Sequence, residues 1–263
     1  MDLNVAGPKI YVTLNLPLIG PVNIVTQTTI TLLVTTVLLL ILASVVTKKL
    51  TKRPSGLQVI AEKLVDMLYN LVREVMGEHN MKYAPYIGTL FLSSIVGSIL
   101  GMTGILRAST ADLSVTMAWS LVTTALVWYN SIKANGFLGW LKGFTEPIVV
   151  MTPMNIVSEI AQPVSMAFRH FGNMTGGSVL TALIYGALSA LTSLVFGWLP
   201  QAVVEVFPPI FQVGIPAFLS IYFDLFSGFV QAFVFCLLTM VYVGSASPPP
   251  AEEESTDEVS VTE

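Results

Sequence analysis

Charge is what this chain has least of. Only 11% of its 263 residues are Asp, Glu, Lys or Arg, against roughly a quarter in soluble domains. That scarcity, with 54% hydrophobic residues and a mean hydropathy of +0.76, excludes an ordinary soluble globule and points to an integral membrane protein with several spans. Cysteine is nearly absent: Cys236 stands alone in an apolar run, so no internal disulfide forms and a small core residue is the plain reading. The two histidines, His79 and His170, are too few for a metal-spaced Cys/His cluster. Neither a phosphate-binding loop nor a Gly-x-Ser-x-Gly elbow occurs. Soluble catalysis therefore has little support, and no cofactor or metal is expected. Basic residues are sparse as well, which gives no sign of a nucleic-acid partner. A basic stretch ahead of the first apolar run is also missing, so no cleaved signal is expected.

What charge there is falls in telling places. The six acidic residues from Glu252 to Glu263 account for more than the net charge of −4, and without them the chain is +2. With Pro248-Pro-Pro250 they mark residues 246–263 as a disordered, acidic, cytoplasmic tail. Residues 1–245 read as one membrane domain. Thr26–Val46 is a 21-residue uncharged run, long enough to cross a hydrocarbon core of about 30 Å. It ends in Lys48, Lys49, Lys52 and Arg53, which places that end in the cytoplasm and the N-terminus outside. Residues 56–80 carry Leu57, Ile60, Leu64, Leu68, Leu71 and Val75 at helical spacing with charges between them. This predicts an amphipathic helix at the membrane surface or against another subunit. Further spans are expected at 86–106, 113–132, 154–198 and 208–243, with Lys133 and Lys142 again on the cytoplasmic side. The fold class is thus all-α, with five membrane-crossing helices and one amphipathic surface helix. At 1.5 Å per residue, 154–198 would be about 67 Å long. It must be broken, bent or strongly tilted, and Pro163 is a candidate break.

The last two segments hold polar residues that an ordinary span would avoid. Arg169 stands among apolar, small and uncharged polar residues, with no further formal charge until Glu205. Its guanidinium stays protonated, and such a charge in hydrocarbon costs about 2.5–3.5 kcal/mol on insertion scales. Asn173 lies four residues on, along one helix face. Asp224 is flanked by Phe223 and Leu225, and Gln231 follows it by two turns. One permanent cation, a few carboxylates and orienting amides suit an ion pathway. The alternatives are plainer: Asn173 and Gln231 as hydrogen-bonded helix joints, Glu159 and Glu205 as solvated interfacial groups, and His170 as a packing or polar-network residue rather than a proton relay.

Two motifs make a family recognisable. Arg169-His-Phe-Gly-Asn173-Met-Thr-Gly-Gly177, with Pro163-Val-Ser upstream, resembles the arginine motif of subunit a of F-type ATP synthases, whose usual form is Arg-Leu-Phe-Gly-Asn. Gln231-Ala-Phe-Val-Phe, with Leu-Thr-Met-Val-Tyr242 after it, is similar to that family's last helix. Thr110-Ala-Asp112-Leu-Ser-Val-Thr116 resembles its external loop, and Pro153-Met-Asn155-Ile the entry to its penultimate helix. The resemblance runs in order from about residue 8 to 243.

The resemblance implies a stator that faces a rotating ring of c subunits, with its last two long, tilted helices against that ring. Two offset half-channels would lead to the ring carboxylates. Arg169 would meet each carboxylate, Gln231 would orient the arginine, Asn173 would line the channel, and Asp224 would be the carboxylate of the external half-channel. Glu159, His170, Ser178 and Asp112 are further half-channel candidates. His170 replaces the usual Leu, and Ser178 stands where some members carry Glu. The implied partners are the c-ring, the peripheral-stalk b subunits, the rest of the complex and the lipid bilayer, in a bacterial inner (plasma) membrane. The coupling ion, H⁺ or Na⁺, is set by the ring carboxylate's surroundings on another chain. A stand-alone secondary transporter that binds an anionic substrate at Arg169 is the alternative, and the lack of an internal repeat weighs against it.

Overall fold

The computed structural model describes residues 9–16, 20–48, 56–103, 106–146, 148–196 and 221–249. Glu205, the prolines around it and the acidic tail from residue 250 on lie outside these residues, as does the first part of the segment expected at 208–243. Apart from one antiparallel hairpin, the described elements are helical: α1 Gln27–Thr47, α2 Leu57–Met76, α3 Ala84–Met102, α4 Leu113–Gly143, α5 Thr152–Phe196 and α6 Gly228–Ser245, which follows a π-helical turn Ile221–Ser227. Among the described residues, four helical stretches, containing α1, α3, α5 and α6, are long and apolar enough to cross a membrane.

The hairpin pairs β1 Ile10–Leu16 with β2 Gly20–Thr26 and departs from the all-α expectation. Ile10, Val12, Leu14 and Leu16 alternate with Tyr11, Thr13 and Asn15, the period of a strand. Pro21 is tolerated because a two-stranded ribbon consists only of edges.

The chain divides into two compact units. The first comprises residues 1–36, 93–113 and 169–232, and the second 37–92, 114–168 and 233–263. In the first unit, Thr28 donates to Asp112 Oδ2 (2.6 Å) and Thr31 to the Arg107 carbonyl (2.9 Å), which fastens the start of α1 to the loop after α3. That loop lies so close to α3 that a Cβ on Gly101 would stand 2.9 Å from the Ala108 nitrogen. Only glycine fits there.

The second unit is built around Val72 and Met76 of α2, Ile87 and Leu90 of α3, and Phe235, Cys236, Met240 and Val243 of α6. Lipid is as apolar as these side chains, so close packing rather than escape from water holds them together. The end of α2 thus belongs to the chain's own core, while Val59, Ile60, Leu64, Val65 and Met67 on its first turns are exposed. Cys236 is buried at 3% exposure, in keeping with its plain reading.

Two helices end or bend differently from expectation. α4 runs on to Gly143 and turns at Gly136, whose φ of 72° is open only to glycine at low cost. Its polar residues Thr116, Ser120, Thr123, Thr124 and Asn130 are buried. Ser120, Thr123 and Thr124 donate to carbonyls three or four residues back, which satisfies their hydroxyls within the helix. α5 continues through Pro163 for 45 residues, so the proline does not end it.

Candidate functional site

Arg169 opens the α5 stretch of the first unit. Its side chain is exposed, and among the described residues it makes no hydrogen bond or ion pair. Gly172 and Gly176 share its face at i+3 and i+7 and are exposed too. A Cβ added at either glycine would meet nothing within 4 Å. One fixed cation therefore stands on an open helix face with no counter-charge among the described residues.

The adjoining side of the helix, from Asn173 round to His170, is pinned. His170 is 1% exposed, and its Nε2 lies 3.0 Å from Ser94 Oγ on α3. The main chain of Gln231 also interacts with the imidazole. Asn173 and Ser227 bond reciprocally: Ser227 Oγ donates to Asn173 Oδ1 (2.7 Å), and Asn173 Nδ2 donates to the Ser227 carbonyl (3.3 Å). Ser98 is buried a turn from Ser94, its Oγ near Gly228. These bonds orient α5 so that Arg169 is turned outward. The His170 side chain meets α3 through Ser94.

The other sequence candidates are placed as follows. Gln231 is 7% exposed, and its Nε2 finds no hydrogen-bond partner among the described residues. Asp224 falls in the π-helical turn, but its side chain lies outside the described ones. Asp112 is held by Thr28. Ser178 is exposed and donates to its own helix, at the Thr175 carbonyl. Glu159 belongs to the second unit, where Trp128 Nε1 donates to its Oε1. It lines a cavity of about 490 Å³, together with Ser131, Asn135, Trp140, Ser158 and Gln162. Among the described residues, no three His, Cys, Asp or Glu side chains are grouped to hold a metal ion.

Ser94, Ser98, Ser227 and Trp128 were not singled out in the sequence. The signals were there but weak: Ser94 and Ser98 are one turn apart in an apolar run, and Ser227 lies four residues before Gln231. In membrane helices a side-chain hydrogen bond is worth only about 0.6 kcal/mol on average. Ser227→Ala should therefore barely lower the thermal midpoint of the purified complex. Ion pumping reduced several-fold alongside an unchanged midpoint would place the Asn173–Ser227 pair on the ion path. Pumping unchanged would make it a joint only.

An apolar helical assembly with an unneutralised arginine on an open face defines a membrane-embedded ion-handling protein. The family described as ATP synthase A chain matches residues 28–244. A sodium-ion-specific ATP synthase subunit a from Propionigenium modestum is 36% identical over 211 residues, which is 74% of this chain and 65% of that protein. A subunit a from Trichlorobacter lovleyi is 32% identical, over 79% of this chain and 81% of its own length. An ATP synthase subunit a 2 from Picosynechococcus is 31% identical, over 84% and 85%. The chain belongs to the ATP synthase subunit a family. It is a multi-pass membrane protein of the ATP synthase complex, with the ion-translocating role of an F-type subunit a.

Proposed function

We propose that Arg169 is the group that meets the ion-binding carboxylate of each passing ring subunit. The observation that carries this is its exposure on an open face without any ion pair among the described residues. A positive charge beside a carboxylate favours the ionised form. Each ring site then gives up its ion as it arrives and takes another as it leaves. The same charge separates the two half-channels and blocks a leak that would bypass rotation.

Gln231, seven residues after Asp224, orients the arginine; its unpartnered Nε2 leaves it bonding capacity for a ring-bound state. Asp224 serves as the carboxylate of the external half-channel. Asn173, held by Ser227, lines the same route. Asp112 stands at its mouth, and His170 and Ser178 border it. Glu159 belongs to the cytoplasmic half-channel. Five crossings, α1, α3, α4, α5 and α6, put the N-terminus outside and the acidic tail in the cytoplasm, with Lys48, Lys133 and Lys142 on the inner side. α5, at about 1.5 Å per residue over its 45 residues, is far longer than the core is thick, and steep inclination along the ring accommodates it. Peripheral-stalk b subunits complete the stator. No catalytic step falls on this chain, which carries ions while nucleotide chemistry proceeds elsewhere in the complex. One charge crossing 100 mV is worth about 2.3 kcal/mol, so several ions pass per ATP.

A cysteine at Gly172 tests the facing surface. Gly172→Cys should form a disulfide in high yield with a cysteine placed beside the ring carboxylate. A complex that assembles and pumps but gives no cross-link from this position would turn the face away from the ring and refute the reading.

A further inference from the structure

We propose that Trp128 is a positioning residue for ion entry: it holds Glu159 at the wall of the second unit's cavity, the vestibule of the cytoplasmic half-channel read above. This rests on the ion-translocating reading above.

Three observations converge. The cavity is large enough, at about 490 Å³, for a chain of waters, and Ser131, Asn135, Ser158 and Gln162 give those waters polar partners. Glu159 and Glu146 are the carboxylates at that wall, and the Trp128 indole fixes Glu159 at Oε1. An indole N–H only donates, so it holds one carboxylate oxygen and leaves Oε2 for a cation or a water. Trp128 is itself held by Trp140, with ring centroids 6.0 Å apart, and Trp140 packs edge-on against Phe144 at 5.1 Å.

The third observation lies in the backbone. Pro163 sits inside α5 four residues after Glu159, where a proline has no N–H to return to the carbonyl of residue i−4. The Glu159 carbonyl thus loses its helical donor. One residue offers a carboxylate and a main-chain oxygen, the hard oxygen ligands that a small hydrated cation prefers. Asn155 makes the rim rigid by donating to the carbonyls of Phe144 and Glu146 (2.9 and 3.1 Å). A purely structural joint between α4 and α5 would need neither a polar cavity nor a charged acceptor.

The test uses the assembled complex in inverted vesicles, whose outer surface is the cytoplasmic face. Trp128→Phe keeps an aromatic ring and removes the donor. It should raise the ion concentration for half-maximal ATP-driven pumping about tenfold, read by titrating Na⁺ at fixed pH and by titrating pH without Na⁺. Trp128→His, whose ring N–H can donate, should recover part of the shift. In a Ser131→Cys variant, a small charged thiol reagent added outside should block pumping. The unsubstituted chain, whose only cysteine is buried, should resist it. An unchanged ion dependence in Trp128→Phe, or normal pumping by labelled Ser131→Cys, overturns the proposal. Should Trp128→Phe fail to assemble, Glu159→Gln takes its place, with the same shift expected and the same null result decisive. Arg169→Ala separates the two levels: pumping lost there but normal in these variants leaves the arginine reading intact and removes only the vestibule.

Discussion

Arg169→Ala is expected to abolish ATP-driven ion pumping and ion-driven ATP synthesis while the complex still assembles. The two halves of that expectation have separate physical causes. Assembly survives because Arg169 makes no hydrogen bond or ion pair among the described residues and its side chain is exposed. Truncation therefore orphans no internal partner, and it removes a charge that costs about 2.5–3.5 kcal/mol in hydrocarbon. Pumping is lost because nothing else on that face carries charge among the described residues. At about 4 Å and an effective dielectric near 20, an arginine–carboxylate pair is worth about 4 kcal/mol. That converts to nearly a thousandfold in the balance between ion-loaded and ionised ring sites. A fall of at least about a hundredfold in vesicle pumping is expected, with the complex recovered in normal yield. Arg169→Lys should fall between the two, since an ammonium keeps the charge but not the planar fork. An Arg169→Ala complex that pumps within a few-fold of the parent would remove the arginine from the mechanism.

Much of this was legible in the sequence because membrane insertion writes itself as uncharged runs. The run Thr26–Val46 is observed as α1 Gln27–Thr47, and 154–198 as α5 Thr152–Phe196. In both, hydropathy and helix coincide because a span has to bond its own backbone. The amphipathic period of 56–80 located α2, but not what its faces meet. Val72 and Met76 are buried in the chain's own core while Ile60 and Leu64 are exposed, and periodicity alone carries no information on which apolar residue is covered by what. The hairpin is faint in the sequence because seven-residue strands next to a long apolar helix give a weak signal. Pro163 looked like a break, yet α5 passes through it. Proline removes one hydrogen bond and introduces one clash, and neighbouring helices in a membrane can absorb both.

The site shows the same division. Arg169 announced itself because a charge in an apolar stretch is expensive and therefore rare. Ser94, Ser227 and Trp128 carry no such signature, since hydroxyls and indoles are ordinary in membrane helices. Only the fold shows that Ser94 meets His170, that Ser227 meets Asn173 and that Trp128 meets Glu159. His170 is the instructive case. Its sequence reading is a packing or polar-network role, and the fold adds where it packs: it is 1% exposed and its Nε2 lies against Ser94 Oγ.

That outward face yields the second large effect. Gly176→Leu is expected to leave the chain's own fold intact and to lower ATP-driven pumping more than tenfold. Within the chain the substitution is harmless. A Cβ at position 176 meets nothing within 4 Å, and leucine is a better helix former than glycine by most of a kcal/mol. The harm arises only if another helix must come close. Packed helices lie about 8–10 Å apart, and the near end of that range needs small residues at the contact. A leucine two turns from Arg169 would hold a ring helix away by the width of a side chain. Coulomb attraction between the arginine and its carboxylate would then weaken with the added distance, and the ring would also rub against the bulge as it turned. Ala43→Leu on α1, another exposed small residue, is the control and should pump normally, because lipid accommodates the added bulk. The decisive measurement is the pair of pumping rates at equal complex yield. If Gly176→Leu pumps as fast as Ala43→Leu, no ring helix approaches this face, and the open glycine surface beside Arg169 is lipid-facing after all.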